Sequence, residues 1–227
     1  MSAAIQTPAS PASAEPLAGL DLYRFFAACF GQPSLERFAW LSGRELHLLL
    51  NQFAREFRVK SASLRSSRFP DYAAYEAAYL ALFEVGVPQP PVPLLESAHS
   101  HRAVPQEVVL ECVQFYEVLG LRPSGSAFPA DHLITQLEFL GAARYLRERK
   151  TDDEEVAALR RLEADFLARH LLSWLPAARK KLSVLDPPLF PLLVKLLCAH
   201  ARQQFELIHS SASELRTIPP KLKNDGE

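Results

Sequence analysis

The sequence predicts an all-α fold, a single-domain helical bundle of about seven helices with two long functional loops. Apolar residues recur at intervals of three and four along most of the chain, which is the spacing of one helix face. No segment alternates apolar and polar residues between turn signals, and eight glycines are few for a chain of many hairpins. With 227 residues and 48% apolar content, the chain can form one large buried core.

Local start signals place the individual helices. Ser42 and Glu45 have the spacing of a capping box, in which each side chain bonds the backbone N–H of the other residue, and Thr151 and Glu154 repeat that spacing. Asp71 is a candidate N-cap for a helix that carries an aromatic stripe. The predicted helices cover residues 20–30, 42–57, 71–83, 105–120, 131–150, 151–174 and a last segment from Asp186-Pro187 through His200.

The composition divides the chain into one helical domain between two tails. Residues 1–18 are rich in Ala, Pro and Ser and are predicted to be disordered, and residues 211–227 form a polar C-terminal tail. The helical domain covers residues 19–210 and contains a proline-rich linker over 86–105 and a hinge loop over 120–130. Because long loops in compact helical domains are often functional, we expect the binding site at these two loops.

Charge and cysteine content exclude several classes of protein. The 25 basic and 26 acidic residues give a formal net charge of −1, so no general attraction to nucleic acid or to an anionic membrane is expected. The three cysteines are far apart in apolar sequence, which favours buried thiols in a reducing compartment over disulfides. Because the sequence shows neither an export signal nor a run of about 20 apolar residues, it predicts a cytoplasmic protein without a membrane span.

An aspartate followed by a histidine is the first candidate for chemistry. Asp131 and His132 lie at the start of the predicted 131–150 helix. Neighbours on a helix point about 100° apart, so the pair is poorly placed to act as a base and its orienting group. We expect Asp131 to cap the helix N-terminus and His132 to pack in the first turn, with a role in binding as the alternative.

The polar part of the linker is the second candidate. Glu96, His99 and His101 could place a carboxylate and two imidazoles around a metal ion, and His132 could join them. The set lacks the paired ligand spacing of known metal motifs, and the chain has neither a phosphate-binding glycine loop nor a nucleophile elbow. We therefore predict no catalytic residue and no metal, and keep a metal-dependent helical hydrolase as an alternative.

The aromatic stripe of the 71–83 helix has two interpretations. Tyr75, Tyr79, Leu82 and Phe83 share one helix face, which is typical of a core. Beside a proline-rich loop, the same side chains could form the floor of a groove for an apolar peptide. The interpretations overlap, because the floor of a groove is also part of a core.

Several motifs follow one another in a distinctive order. They are Tyr79-Leu-Ala-Leu82-Phe83, Pro90-Pro91 with Glu96-Ser97, Tyr116 with Gly120, Pro129-x-Asp131-His132-Leu133, Leu137-Glu138-Phe139-Leu140 and Phe166-x-x-x-His170-x-x-x-Trp174-x-Pro176. In this order the chain resembles the TorD/DmsD/NarJ family, which are cytoplasmic chaperones dedicated to molybdoenzymes. The similarity covers residues 20–209 and implies an all-helical protein without catalytic activity.

The resemblance also implies partners and a binding site. Family members bind the N-terminal leader of a molybdenum catalytic subunit, often a twin-arginine signal. They hold the apoprotein and delay its export until the bis-molybdopterin guanine dinucleotide cofactor is inserted. By this resemblance the peptide-binding residues are Tyr79, Leu82, Phe83, Pro91, Glu96, Ser97, Asp131, His132 and Glu138. The expected partner is such a leader and apoprotein, the chaperone itself carries no cofactor, and its loops permit a monomer or a domain-swapped dimer.

Three positions depart from the family pattern. Leu95 replaces a frequent aromatic residue, His99 replaces a common tyrosine, and Gln136 replaces an acidic residue. The loss of an acidic residue weakens the expected preference for an arginine pair. The linker and the long N-terminus resemble chaperones of type II enzymes, such as those for ethylbenzene, dimethylsulfide, selenate and chlorate. A helical adaptor with an unrelated partner is the second alternative.

Overall fold

The computed structural model describes residues 21–60, 69–100, 104–122, 128–184 and 189–217, and side chains as far as residue 210. Its α-helices are α1 Leu22–Cys29, α2 Leu35–Ser42, α3 Arg44–Glu56, α4 Tyr72–Tyr79, α5 Pro105–Val118, α6 Leu133–Arg149, α7 Asp153–Phe166, α8 Leu172–Leu182 and α9 Leu189–Thr217. A π-helical turn over Leu80–Glu84 extends α4, and another over Leu167–Leu171 joins α7 to α8. These residues include no β-strand, which confirms the predicted all-α fold.

Helix α2 is missing from the predicted set because its eight residues are too few for a clear periodic pattern. Ser34 caps it, since its Oγ accepts a hydrogen bond from Arg37 N at 3.1 Å. Gly43, in an extended conformation, ends α2 and is also the N-cap of α3. The predicted capping box of Ser42 and Glu45 is therefore wrong: Ser42 is the last residue of α2, and the described residues provide no side-chain hydrogen bond that caps α3.

The start of α6 also differs from the prediction. Asp131 is the predicted cap, but α6 begins at Leu133 and His132 occupies the N-cap position. The Nδ1 atom of His132 accepts a hydrogen bond from Ile134 N at 3.2 Å. The Asp131 carboxylate is therefore not used as the cap and is free to bond the linker.

Helix α7 is capped by Asp152, whose Oδ1 accepts a hydrogen bond from the backbone N–H three residues later at 2.8 Å. The predicted capping box of Thr151 and Glu154 is therefore wrong by one residue. Asp71 is confirmed as the cap of α4, because its Oδ1 accepts the corresponding bond at 2.8 Å. Short polar residues at these starts satisfy backbone donors that the helix itself cannot pair.

The linker before α5 is largely without regular structure, as predicted. Within its described part, the only helical turn is the 3₁₀ turn Glu96–Ala98. Pro105 is the first residue of α5, a position where its missing N–H leaves no helical bond unmade. Gly120 follows the end of α5 with φ +68°, a conformation that glycine adopts without strain.

Helix α9 is the longest in the structure, with 29 residues. Its predicted start at Asp186-Pro187 lies outside the described residues, as does the predicted tail over 1–18. The helix continues to Thr217, so helical structure extends past the predicted domain boundary at residue 210. Neither α9 nor any other described helix is long and apolar enough to cross a membrane.

Helix α6 occupies a central place in the packing. It contacts α1 and α7, while α9 contacts α1, α7 and α8. Gly141 lets α1 approach α6 closely, because a Cβ there would lie 2.9 Å from a carboxylate oxygen of Asp21, the N-cap of α1. The core is rich in aromatic residues, and its largest fully buried side chains include Trp174, Tyr23, Tyr75, Tyr79, Phe26, Phe30, Phe53, Phe166 and Phe190.

The three cysteines are free and buried, as predicted from their apolar surroundings. They lie on three different helices, α1, α5 and α9. Burial raises the pKa of the Cys198 thiol to about 11, and it also raises the pKa of the Cys29 and Cys112 thiols. A thiol with a raised pKa is a poor nucleophile at neutral pH.

Candidate functional site

The linker and the hinge loop meet at a short antiparallel pairing. Leu95 faces His132 in an isolated β-bridge. One flanking hydrogen bond runs from Glu96 N to Asp131 O at 3.0 Å, and the other from the N–H after His132 to the carbonyl before Leu95 at 2.8 Å. The six residues 94–96 and 131–133 form what we call the linker–hinge junction, which holds the linker against the N-terminus of α6.

The Asp131 side chain reinforces this junction. Its Oδ2 accepts a hydrogen bond from Ser97 N at 3.0 Å, and the residue is only 1% exposed. The structure thus brings together four of the predicted peptide-binding residues, namely Glu96, Ser97, Asp131 and His132. In this conformation the Asp131 carboxylate serves the linker and is not presented at the surface.

His132 is neutral and contributes to the rigidity of the hinge. Burial lowers its pKa to about 4, and the neighbouring Asp131 carboxylate offsets this effect only in part. Because Nδ1 accepts the bond from Ile134 N, the proton of the neutral ring is on Nε2. Phe128 stacks on the ring with centroids 4.3 Å apart, which fixes the end of the hinge loop.

Behind the junction, the Glu96 side chain enters a buried polar cluster that consists of Glu96, Cys112, Gln136 and His170. Glu96 Oε2 accepts a hydrogen bond from Gln136 Nε2 at 2.6 Å and lies 3.0 Å from His170 Nδ1. Cys112 Sγ lies 3.9 Å from Glu96 Oε2 and 3.5 Å from His170 Nδ1. All four residues are at most 2% exposed. The carboxylate of the linker is therefore fully enclosed by α5, α6 and the second π turn.

Outer contacts orient this cluster. Trp174 Nε1 donates a hydrogen bond to Gln136 Oε1 at 3.1 Å, which directs the amide nitrogen of Gln136 towards Glu96. His170 Nε2 lies 3.9 Å from Glu111 Oε2, on the side of the ring away from Glu96. His170 belongs to the π turn Leu167–Leu171, and π turns are frequent where a side chain must be placed for function.

The aromatic stripe of α4 lies in the core. Tyr79, Leu82 and Phe83 are at most 6% exposed. The Tyr79 hydroxyl donates to Phe30 O at 3.0 Å, and Phe83 packs edge-to-face on Phe190 with centroids 5.1 Å apart. Leu82 O also accepts a hydrogen bond from Val92 N at 3.0 Å, which draws the linker over the stripe. The linker thus contacts both the stripe and the hinge.

The other predicted peptide-binding residues are more accessible. Pro91 and Glu138 are exposed, and Ser97 is partly exposed. Pro91 precedes the residue that bonds Leu82, and Glu138 lies on α6 beyond the hinge. These three residues are therefore accessible to a partner without movement of the linker, whereas the buried predicted residues are not.

The metal-binding alternative predicted from sequence places Glu96 with His99, His101 and His132, and the structure does not support this set. His99 Nε2 lies 2.8 Å from Pro93 O, and its ring stacks on Trp174, with centroids 5.1 Å apart. His132 Nδ1 is used as the cap of α6. His101 lies outside the described residues. The Glu96 carboxylate contacts Cys112 and His170 instead.

Comparison with known protein families shows which family the chain belongs to. The model of the nitrate reductase delta subunit family matches residues 44–179. The chain belongs to this family. The matched segment contains the linker–hinge junction, the whole buried polar cluster and both π turns. The resemblance that the sequence motifs indicated is therefore confirmed.

Three proteins with similar sequences are named as assembly chaperones of reductases. A selenate reductase assembly chaperone protein of Thauera selenatis is 37% identical over 115 residues, 49% of this chain and 58% of the relative. A perchlorate reductase assembly chaperone protein of Dechloromonas aromatica (strain RCB) is 26% identical over 179 residues, 74% of this chain and 79% of the relative. A chlorate reductase assembly chaperone protein of Ideonella dechloratans is 34% identical over 115 residues, 49% of this chain and 58% of the relative.

Four residues of the buried polar cluster and its outer contacts are not among the site residues predicted from sequence. The sequence predicts a buried thiol for Cys112 and a departure from the family pattern at Gln136, while His170 and Trp174 occur only as parts of a family motif. The spacing of His170 and Trp174 places both on one helix face, and that was the one available signal. Their meeting with Glu96 depends on how the linker folds back, which local spacing does not encode.

Proposed function

We propose that this chain is a cytoplasmic, non-catalytic assembly chaperone for the catalytic subunit of a molybdenum reductase. The observation that carries the proposal is the family match over residues 44–179, together with three relatives named as assembly chaperones of selenate, perchlorate and chlorate reductases. Two of the alignments span only 58% of the relative, so the role of the whole protein rests on this proposal. The expected client is an oxyanion reductase of the type II group.

Within this role, the linker–hinge junction is the proposed receptor for the N-terminal leader of the client. Glu96, Asp131 and His132 are buried and bonded to one another or to the protein interior. Leader arginines therefore reach these carboxylates only when the linker leaves the hinge. The closed junction is then the resting state of the chaperone, and the leader competes with the linker for the same groups.

When the leader replaces the linker, the number of backbone hydrogen bonds can be conserved. The linker donates N–H bonds to Leu82 O and Asp131 O, and an extended leader can donate equivalent bonds to the same two carbonyls. The apolar stretch of the leader would then cover Leu82 and Phe83 in place of the linker. Burial of apolar area contributes about 25 cal/mol per Å², from which the cost of ordering the leader is subtracted.

Charge adds selectivity to this exchange. Once released from Ser97 N, the Asp131 carboxylate can accept charge-assisted bonds from a leader arginine. Glu138 is already exposed on α6 and can attract the same arginines from the closed state. Because Gln136 is neutral where relatives of the family carry an acid, the preference for an arginine pair is expected to be moderate.

Capture of the client tests the function as a whole. The tagged chain is expressed in its native host, grown with molybdate, and proteins that co-purify are identified by mass spectrometry. Recovery of a molybdopterin oxidoreductase catalytic subunit is expected. Recovery of an unrelated protein as the main partner would favour the adaptor alternative and overturn the proposal.

A reversible lock of the junction tests the leader site. Leu95 and His132 form a pair without direct backbone bonds between them, for which the Cα separation is about 4.5 Å and suits a disulfide. We expect oxidised Leu95→Cys/His132→Cys protein to bind a client leader peptide at least about tenfold more weakly than the reduced form, which is about 1.4 kcal/mol. Isothermal titration calorimetry of both forms measures this difference.

The lock experiment contains its own control. Oxidised and reduced protein have the same sequence, so a loss of the His132 cap affects both equally. The single His132→Cys variant under the same oxidant controls for oxidation of Cys29, Cys112 and Cys198. Equal affinities of the locked and the reduced forms would show that the leader binds elsewhere.

A charge substitution tests the exposed part of the site. We expect Glu138→Gln to weaken leader binding by up to about fivefold at low salt, because an exposed ion pair contributes about 0.2–1 kcal/mol. The effect should fade as salt increases. Glu117→Gln, at an exposed position on α5, is the matched control and should leave the affinity unchanged. An equal effect of both variants would indicate general charge attraction in place of a site.

A further inference from the structure

We propose that the buried polar cluster binds a zinc ion, with Glu96 Oε2, Cys112 Sγ and His170 Nδ1 as its three protein ligands. The three residues form a group of metal-ligating side chains within the described part of the chain, and all are buried. They come from the linker, from α5 and from the π turn between α7 and α8. The inference does not depend on the proposed chaperone function, because it rests on the geometry of these side chains alone.

The distances between the three donor atoms lie within about 0.4 Å of those expected for a tetrahedral metal site. The separations are 3.0 Å for His170 Nδ1 to Glu96 Oε2, 3.5 Å for Cys112 Sγ to His170 Nδ1, and 3.9 Å for Cys112 Sγ to Glu96 Oε2. Bond lengths of about 2.3 Å to sulfur and about 2.0 Å to nitrogen or oxygen imply tetrahedral ligand separations of about 3.3–3.6 Å. The two separations that involve sulfur are also the longer ones, as the larger radius of sulfur requires.

The charges of the site favour a divalent ion of intermediate softness. One thiolate, one carboxylate and a neutral imidazole together neutralise the two positive charges of Zn²⁺. A buried neutral site avoids the large cost of isolated charge in the interior. Thiolate and imidazole ligands favour zinc over magnesium or calcium, which prefer oxygen.

The groups around the cluster have the arrangement of an outer ligand shell. With Nδ1 on the metal, the proton of His170 is on Nε2, which faces Glu111 Oε2 at 3.9 Å. A carboxylate opposite the second nitrogen is the usual support of a metal-bound histidine. Gln136 Nε2 donates to Glu96 Oε2, and Trp174 fixes the direction of that amide. The cluster therefore has orienting partners for two of its three ligands.

Hydrogen bonding alone explains the cluster less completely. If a neutral His170 donates from Nδ1 to Glu96, its Nε2 carries a lone pair that faces the Glu111 carboxylate, and two acceptors would oppose each other. A doubly protonated His170 removes that conflict without a metal. The competing description is therefore a Glu96–His170 ion pair beside an inert thiol, and the experiment below separates the two.

Cobalt is a direct probe of these ligands, because Co²⁺ replaces Zn²⁺ and reports its coordination by absorption. The full-length protein, stripped of metal with a chelator, is titrated with Co²⁺. We expect binding of one equivalent, the visible bands of tetrahedral cobalt and a thiolate-to-cobalt charge-transfer band in the near ultraviolet. Folded protein that shows no such spectrum with micromolar Co²⁺ would overturn the proposal and leave the ion pair as the description.

Matched cysteine variants identify the thiolate. Cys112→Ser should remove the charge-transfer band and raise the Kd for zinc by more than about 100-fold. Loss of a hydrogen-bond partner of a metal ligand raises the Kd by only about 10–100-fold, and this variant removes a ligand itself. Cys198→Ser replaces a buried cysteine of α9 and should change neither quantity. Circular dichroism establishes that both variants are folded. A band that is unchanged in Cys112→Ser would assign the metal to another site and refute the proposal.

Discussion

Replacing Arg147 by methionine is expected to lower the free energy of unfolding by about 3–5 kcal/mol, the usual effect of leaving one charge of a buried pair alone. Arg147 Nη1 lies 2.6 Å from Glu163 Oε2. Glu163 is fully buried, and among the described residues its other oxygen accepts a single long hydrogen bond, of 3.4 Å, from the Tyr23 hydroxyl. The buried carboxylate therefore depends on Arg147, and urea unfolding of both proteins measures the loss.

Acidic pH should reduce this loss. Burial raises the pKa of Glu163, and Arg147 and Arg144 act in the opposite direction. Without Arg147 the carboxyl group protonates more readily in the folded protein. A carboxyl group with a raised folded-state pKa contributes stability that is present at low pH and lost as pH rises, so the variant should be penalised more at pH 8 than at pH 5.

Two further variants make the Arg147 prediction specific. The double variant Arg147→Met/Glu163→Met removes both charges and should recover most of the lost stability. Lys150→Met breaks the exposed pair with Glu155 and should cost at most about 1 kcal/mol. If Arg147→Met and Lys150→Met had equal effects, Glu163 would not depend on its partner in the way the structure indicates.

Acid is expected to destabilise the protein through His200, by about 2–3 kcal/mol between pH 7 and pH 4.5. His200 is 1% exposed and lies among aromatic rings, the nearest being Tyr23 at a centroid distance of 4.9 Å. Neither ring nitrogen has a hydrogen-bond partner among the described residues. Burial, together with the positive charge of Arg144, lowers the pKa of His200 to about 3.

The sign of this effect follows from the two pKa values. The unfolded histidine takes up a proton near pH 6.5, whereas the folded one does so only near pH 3. Stability from the neutral ring is therefore complete above pH 6.5 and falls steadily as pH decreases towards 3. Thermal unfolding between pH 7 and 4.5 should show a steeper decline in wild type than in His200→Phe, which keeps a ring but cannot titrate.

Comparison of slopes isolates His200 from other groups. His132 has its pKa lowered to about 4 and contributes in both proteins, as do the carboxyl groups. His209→Gln, at an exposed position of the same helix, is the control and should keep the slope of the wild type. Parallel pH curves for wild type and His200→Phe would show that His200 is not the acid-sensitive group.

The sequence predicted the fold because periodicity is a local property. The helical stripes of α3, α4, α5 and α6 each follow from apolar residues three and four apart, and Asp71 and Pro105 mark helix starts by local chemistry. Helix α2 escaped because eight residues give only two turns of pattern. The observed caps, His132 and Asp152, each lie one residue after the predicted cap. Helix starts are therefore predicted only to within one residue, because several polar residues compete for each cap position.

The candidate site was less predictable because its members meet only in three dimensions. The Asp131-His132 motif and Glu96-Ser97 were recognised from their order in the chain, and the structure pairs them. The burial of Glu96, Asp131 and His132 was not predicted, because polar residues in a linker are usually exposed to solvent. The convergence of Cys112, Gln136 and His170 on Glu96 requires the linker to fold back across α5 and α6, for which no sequence spacing exists.

Glu96 connects the linker–hinge junction to the buried polar cluster. Its backbone N–H pairs with the hinge, while its carboxylate is bonded to His170 and Gln136 in the interior. The linker therefore cannot lift from the hinge without also withdrawing a negative charge from the cluster and leaving buried polar groups unsatisfied, each at a cost of about 1–3 kcal/mol. In the proposed function, release of the hinge and withdrawal of the Glu96 carboxylate would therefore occur together, and a leader would have to supply enough binding energy for both.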